Sequence, residues 1–509
     1  MHLPLALLVA LQTPAATPES GHQPDSTLLR VIAIADLHGA LAPRSWPWSN
    51  GRAVGGVAAL KVWVDGLARE CGCPSIRLDA GDEMQGTAIS NFSYGRASIE
   101  ALNAIGLDAA AIGNHEFDWS VDTLRARMKD AHYPFVSANI TDSTGTARPE
   151  WAEPWTLVQR NGVKVAVIGL TTTSTPTTTA PRNVSGLAFG DGAIAIKREL
   201  RRARGAADFV VVLAHEGAIC DSGACHGAIL AVARGLDSAS VDLIVAGHTH
   251  RVVSTVVNGI PVVEAGSSGG AVGVVDFVRA GSRGREVRVR IDTPYVDRVT
   301  PDPALTALVA RFQRAVDSVT SRPVGVLRYA LRREGGEYGL GRLLADAYRN
   351  IARADVGLVN NGGIRTELPA GVVTYGDLFA VTPFQNRLVR VAVPGQVLRD
   401  ALEHALAGDR PDAHVSGLEV WYDPRRPAGR RVQKVKLQDG RDLDAGATYT
   451  LAVADFVADG GSGFAMLKPW PRTDTGLVDL DALIDYLHVL HQPVDAPAEP
   501  RLHAAGRAP

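Results

Sequence analysis

Residues 28–39 read LLRVIAIADLHG, an apolar run broken only by Arg30 and closed by Asp36, His38 and Gly39. Such a run, rich in branched residues, reads as a strand buried on both faces, with its polar cluster where the strand leaves for a loop. The construction recurs in SIRLDAGD (75–82), LDAAAIGNHE (107–116), GVKVAVIGLT (162–171), DFVVVLAHE (208–216) and VDLIVAGHTH (241–250). Between them lie stretches with apolar residues at helical spacing: 55–70, 97–106, 121–132 and 193–205. Strands alternating with helices predict an α/β fold with helices on both faces. After His250 the texture changes. Residues 251–257, 260–266, 271–279 and 285–293 are successive β runs, which predict antiparallel strands extending the layer, and TTTSTPTTTA (171–180) reads as a loop.

Farther along, PYVDRVTPDP (294–303) is Pro-rich and has the texture of a domain boundary. The helical pattern of 304–319 follows, so 28–300 is expected to form one domain, 301–321 a linker helix and 322–500 a smaller mixed α+β domain. In the second domain LGRLLADAYRNIA (340–352) and QVLRDALEHAL (396–406) predict helices, and VGLVNNGG (356–363) a strand ending in a turn. A chain of 509 residues with 46% hydrophobic and 21% charged residues can build both cores. Its formal net charge of −2 argues against a nucleic-acid polymer as partner, and no internal run is long enough to span a membrane.

The amino-terminal MHLPLALLVALQTPAAT has a short apolar run followed by small residues. This predicts a signal peptide over 1–16 and a periplasmic or secreted location, although the segment before the run lacks Lys and Arg. Four cysteines occur as two close pairs. A Cys220–Cys225 disulfide suits an exported chain. A Cys71–Cys73 bridge would close a strained ring. Free buried thiols and a four-thiolate zinc site are the alternatives, the latter disfavoured by the CxC and Cx4C spacings.

The chemistry-bearing residues stand just after strand ends, where sites form in open α/β sheets. They are Asp36, His38, Asp82, Asn114, His115, His215, His248 and His250. Imidazole and carboxylate oxygen suit first-row divalent metals. D-x-H and H-x-H, leaving a strand, can aim alternate side chains at one ion, and an Asp in a Gly turn can bridge two ions.

The ordered set DLHG, GDEMQG, GNHEFD, AHEG and GHTH resembles the calcineurin-like metallophosphoesterases, whose αββα-type sandwich is the implied fold. The resemblance implies that Asp36, His38, Asp82 and His250 hold one divalent metal, Zn or Mn. Asp82, Asn114, His215 and His248 would hold a second, with a metal-bridging hydroxide attacking phosphorus. It also implies that His115 faces the scissile phosphate, oriented by Asp118, with a plain ligand role for His115 as the alternative.

In the second half GLGRLLADA, NNGGIR, TPFQN and DFVADGGSGF resemble the C-terminal domain of the 5'-nucleotidase family. That resemblance implies a nucleotide substrate. Asn360 and Arg365 would approach its terminal phosphate, and Phe384 and Phe456 would sandwich the base, ordinary core packing of the two rings being the alternative. Two positions depart from the pattern. Gly339 stands where some members carry a phosphate-binding arginine, a function that Arg342 is a candidate to supply. Ser462 replaces the ribose-binding Asp of a GGDG turn. A 5'-nucleotidase is the expected activity. A 2',3'-cyclic-nucleotide phosphodiesterase/3'-nucleotidase, a UDP-sugar hydrolase or a thiosulfohydrolase on the same scaffold are the rivals, and a non-enzymatic nucleoside-binding protein is disfavoured because every ligand position is filled.

Overall fold

A computed structural model describes residues 26–221, 224–279 and 285–505; the expected signal peptide, 1–16, lies outside them. Two six-stranded sheets form the first half. In one, strand Ser26–Ile34 pairs in parallel with Ser75–Asp79, which is followed by Ala109–Ala111 and Phe135–Val136. On its other side it pairs antiparallel with Val272–Arg279, itself paired with Arg285–Asp292. In the other sheet Val163–Thr171, Phe209–His215, Leu243–Ala246 and Ile260–Ala265 run parallel, with antiparallel strands Trp155–Arg160 and Val252–Val257 at the edges.

The side-chain alternation of a strand explains the apolar runs. Leu29, Val31 and Ala33 of the first sheet meet Val211, Leu213 and Val245 of the second in one buried core between the sheets. Ile32 and Ile34 point the other way, onto helices Val57–Cys71, Arg96–Ile105 and Val121–Asp130. Val210, Val212 and Ala214 likewise meet helices Gly192–Ala206 and Ala228–Arg234. The result is the αββα sandwich, with the parallel strands buried on both faces.

Helix Pro303–Thr320 starts where Asp302 accepts a hydrogen bond from the Leu305 amide, with Pro303 in the first turn. It does not stand free between the halves. Leu305 is buried, and Leu308, Val309 and Phe312 pack with it on the helices of the sandwich. Beyond it, five strands pair in the order Ala413–Ser416, Val356–Asn360, Thr448–Ala454, Arg387–Pro394, Arg472–Val478. Helices Gly339–Ala352 and Asp479–Val489 pack in one core against this sheet, and helix Gly395–Ala405 packs in another.

Two expectations are corrected. The 171–180 segment is not all loop: Thr175–Thr178 forms one helical turn. Cys71 and Cys73 are bonded, because helix Val57–Cys71 ends in a left-handed Gly72 (φ 59°) that brings their Cα atoms to 5.0 Å. Cys220 and Cys225 are bonded across facing positions of the hairpin Ile219–Asp221/Ala224–His226, so no thiol remains for zinc among the described residues.

Candidate metal centre and substrate cleft

Five parallel strands of the two sheets deliver their carboxyl ends to one place. Asp36, His38 and His250 form one group whose potential ligand atoms all lie within 4.8 Å of one another; Asp82, His215 and His248 form a second. Asp36, His38, Asp82, His248 and His250 all have left-handed backbone, with φ between 50° and 80°. Each such residue costs about 1–3 kcal/mol and persists only where its surroundings impose the conformation. Here they do. The Asp36 amide donates to Gly81 O at 2.9 Å, the His38 amide to Asp82 O at 2.9 Å, and the His248 amide to both carboxylate oxygens of Asp36 at 3.0 Å.

The donor atoms converge as cation ligands do. His38 is tied through Nδ1 to the Gln85 carbonyl (2.8 Å), which leaves its Nε2 facing the Nε2 of His250 at 2.9 Å. In the second group His215 is tied through Nδ1 to Ala80 O (2.8 Å). Its Nε2 sits 3.1 Å from Asp82 Oδ2, 3.1 Å from Asn114 Oδ1 and 3.2 Å from His248 Nδ1. Asp82 lies between the groups, its Oδ2 also 3.7 Å from His38 Nε2. Burial holds His38 and His250 well below the ordinary imidazole range and, with the nearby His215, pushes His248 down to about 3, so these rings are neutral and ready to ligate. Burial opposes protonation of His215 too, but Asp82 outweighs it and raises His215 to about 10; a dication between the two would take the place of that proton. These N and O donors fit two first-row divalent ions.

His115 belongs to neither group. Its Nδ1 is 2.7 Å from Asp118 Oδ2. Burial alone would lower its pKa; Asp118 and Asp82 outweigh that and raise it. Asp118 is itself held, accepting from Thr179 Oγ1 at 2.6 Å through Oδ1 and from Asn183 Nδ2 at 2.7 Å through its carbonyl. Asn114 donates to Thr178 O at 3.4 Å.

A cleft of about 340 Å³ joins the two halves. Asp82, Asn114, His115, Asp118, His248 and His250 line it from the sandwich, and Asn360, Arg365, Phe384, Phe456 and Ser462 from the second half. Asp36 and His215 are fully buried behind the lining. Arg365 reaches within 3.4 Å of His38 Nε2, and the Phe384 ring stacks on His115 with centroids 5.5 Å apart. Asn360 Nδ2 donates to Ser462 Oγ at 2.9 Å.

Arg342 does not enter the cleft. It faces the carboxyl-terminal segment, donating to Pro497 O (2.8 Å) and Ala498 O (3.3 Å) and pairing with Glu337 at 3.8 Å, so it cannot replace the arginine absent at Gly339. Sequence reading also left unassigned several residues of the lining, among them Gln85, Trp119, Thr179, Arg182 and Asn386. Asn386 stands inside TPFQN, a signal that could have found it.

Glu116, fully buried and outside the lining, also went unassigned. Its carboxylate accepts from the amides of Asp82 (2.9 Å), Glu83 (2.8 Å) and Gly113 (2.8 Å), pinning the turn of Asp82 to the turn of Asn114. Glu116→Gln sets an amide N–H against at least one of these donors. Metal affinity is expected to fall about 10–100-fold, the usual cost of losing a group that orients a ligand. Metal titration of the apoprotein checks this; unchanged affinity would show that the turns hold without the carboxylate.

Residues 319–469 match the family model described as 5'-nucleotidase, C-terminal domain, and residues 75–263 the model described as bacterial capsule synthesis protein PGA_cap. The chain is 29% identical to a 5'-nucleotidase of Vibrio cholerae, with 97% of this chain and 96% of the relative covered. It is also 29% identical to Endonuclease YhcR of Bacillus subtilis, covering 94% of this chain but only 41% of that longer protein. A solved 5'-nucleotidase precursor from Thermus thermophilus superposes with a TM-score of 0.83 at 28% identity, covering 94% of this chain and all of that one. The sandwich with its strand-end cluster is a hydrolase architecture, that of the calcineurin-like phosphoesterases. With its second half included, the chain is similar over nearly its whole length to 5'-nucleotidases.

Proposed function

We propose that the protein is an exported phosphohydrolase that holds two divalent cations, Zn or Mn, and releases phosphate from nucleotides, with 5'-nucleotides as the first expectation. One observation carries this reading: a single cleft is lined both by the convergent His and Asp groups and by Arg365, Phe384 and Phe456. The signal-like segment 1–16 and the two disulfides support export. The division into 28–300 and 322–500, joined through 301–321, belongs to the same reading.

Asp36, His38 and His250 would hold one cation and Asn114, His215 and His248 the other, with Asp82 shared between them. Bound there, the cations supply Lewis acidity toward the phosphoryl group and the attacking water. Arg365 binds phosphoryl oxygens with its planar fork and, with Asn360, fixes the terminal phosphate. His115, oriented by Asp118, stabilises the charge that develops and gives its proton to the leaving oxygen. Phe384 and Phe456 hold the base by stacking, which tolerates any base because each has a π-face. Ser462, neutral and engaged with Asn360, offers the sugar a weaker partner than a carboxylate would.

A panel of 5'-, 3'- and 2',3'-cyclic nucleotides and nucleotide sugars on metal-reconstituted protein tests the substrate class. Phe384→Ala and Phe456→Ala are each expected to weaken nucleotide use by about 1–3 kcal/mol in kcat/KM, the value of one base–aromatic stack. Hydrolysis of a small aryl phosphodiester, which has no base to stack, should stay near wild type. Equal losses on both substrates would make the rings core residues and remove the main support for a nucleotide.

A further inference from the structure

Gln85 has no assigned part in the chemistry, yet its surroundings are unusual. The residue is 1% exposed, and neither Oε1 nor Nε2 of its side chain has a hydrogen-bond partner. Among the described residues it is the one side chain with a buried, unpartnered polar atom that also lines the cleft. A buried amide left unpaired is destabilising, whereas an apolar residue of the same shape would carry no such penalty.

The position is rigidly held. The Gln85 carbonyl accepts from His38 Nδ1 at 2.8 Å. The next amide, of Gly86, donates to Asn91 Oδ1 at 2.9 Å, and Asn91 Nδ2 donates across to Pro383 O at 2.9 Å, beside Phe384. Gly86 has φ 153°, and a Cβ there would lie 2.4 Å from His38 O, so the turn has no slack. The main chain at Gln85 is thus fixed beside the cleft, and the cleft it lines is where its side-chain amide can meet a partner. The cleft around Gln85 also presents Asn360, Arg365 and His250, donors and ligand groups suited to an anion.

We propose that Gln85 is a further substrate-binding residue, its Nε2 donating to an oxygen of the transferred phosphoryl group alongside Arg365 and Asn360. This deepens the phosphohydrolase reading and rests on it. Orthophosphate, the product of that reaction, is the probe, and Gln85→Leu is the variant, because it keeps the shape and removes both orphaned atoms. In metal-loaded protein, Gln85→Leu is expected to retain its metal content and to melt at or above the wild-type Tm. Its Kd for orthophosphate, by calorimetry, should rise about tenfold or more, as for a lost hydrogen bond to a charged group.

An orthophosphate Kd within twofold of wild type overturns the proposal, and so does a lowered Tm with unchanged phosphate affinity, which would mark Gln85 as structural. Should Gln85→Leu fail to fold, Gln85→Glu carries the same test: a carboxylate facing the phosphate should weaken binding more than tenfold, and unchanged binding overturns the assignment. If wild type itself neither binds orthophosphate nor releases it from any phosphoester, the phosphohydrolase reading fails together with the proposal. Wild-type binding that survives in Gln85→Leu refutes the role of Gln85 alone.

Discussion

Asp82→Asn is expected to strip both cations and to lower turnover by at least about a thousandfold, the scale on which electrostatic stabilisation of a transition state is lost. The side chain is held on every side. Oδ1 accepts the His115 amide at 2.9 Å, and Oδ2 lies 3.1 Å from His215 Nε2 and 3.7 Å from His38 Nε2. Either orientation of an asparagine amide puts an N–H where an acceptor is required: against the backbone donor in one, among the ring nitrogens and any cation in the other. The substitution also removes the negative charge that would lie between two dications. Burial alone would push the Asp82 carboxyl up, but His215 and His115 keep it well below the ordinary range, so it is the ionised form that the site is built around. Elemental analysis with steady-state kinetics checks the prediction; full metal content and retained turnover would remove Asp82 from the shared position.

His115→Asn is expected to separate metal binding from chemistry. The ring lies outside both ligand groups, and its tie to Asp118 at 2.7 Å positions it without a metal. The variant should keep both cations while kcat falls about 100- to 10,000-fold, the range for a lost acid–base group. The loss should be largest for substrates with poor leaving groups and small for a nitrophenyl ester, whose leaving oxygen needs no proton. One metal missing in this variant would make His115 a ligand. A leaving-group dependence no steeper than wild type would remove its role as the acid.

The sandwich was legible because its parallel strands are buried on both faces, so residues such as Val210 to Ala214 read as unbroken apolar runs. Strand Trp155–Arg160 escaped because it is an edge strand: Leu157 is 42% exposed, and only Val158 of its six residues is buried. The candidate ligands could be read because each follows such a run directly, and the structure brings all of them together. Residues that act by holding other residues could not. Glu116 and Thr179 owe their places to amides and carboxylates far away in sequence or hidden in a turn, and nothing in side-chain type announces that. The expectation for Arg342 failed on helix phase, since the face of Gly339–Ala352 that carries it looks toward Pro497 rather than toward the cleft.

The threonine-rich segment 171–180 has one more consequence, for how the chain tolerates insertions and deletions. Surface loops usually absorb a residue gained or lost. Here the tolerance is withdrawn. Thr172 Oγ1 is anchored on Glu216 at 2.9 Å at one end, and Thr179 Oγ1 on Asp118 at 2.6 Å at the other. One residue of chain is about 3.3–3.6 Å, more than the reach of a hydrogen bond. A single-residue insertion or deletion between the two anchors would therefore leave the fold standing and the composition almost unchanged, while Asp118 lost its hydrogen bond from Thr179 and with it part of what orients the His115 imidazole.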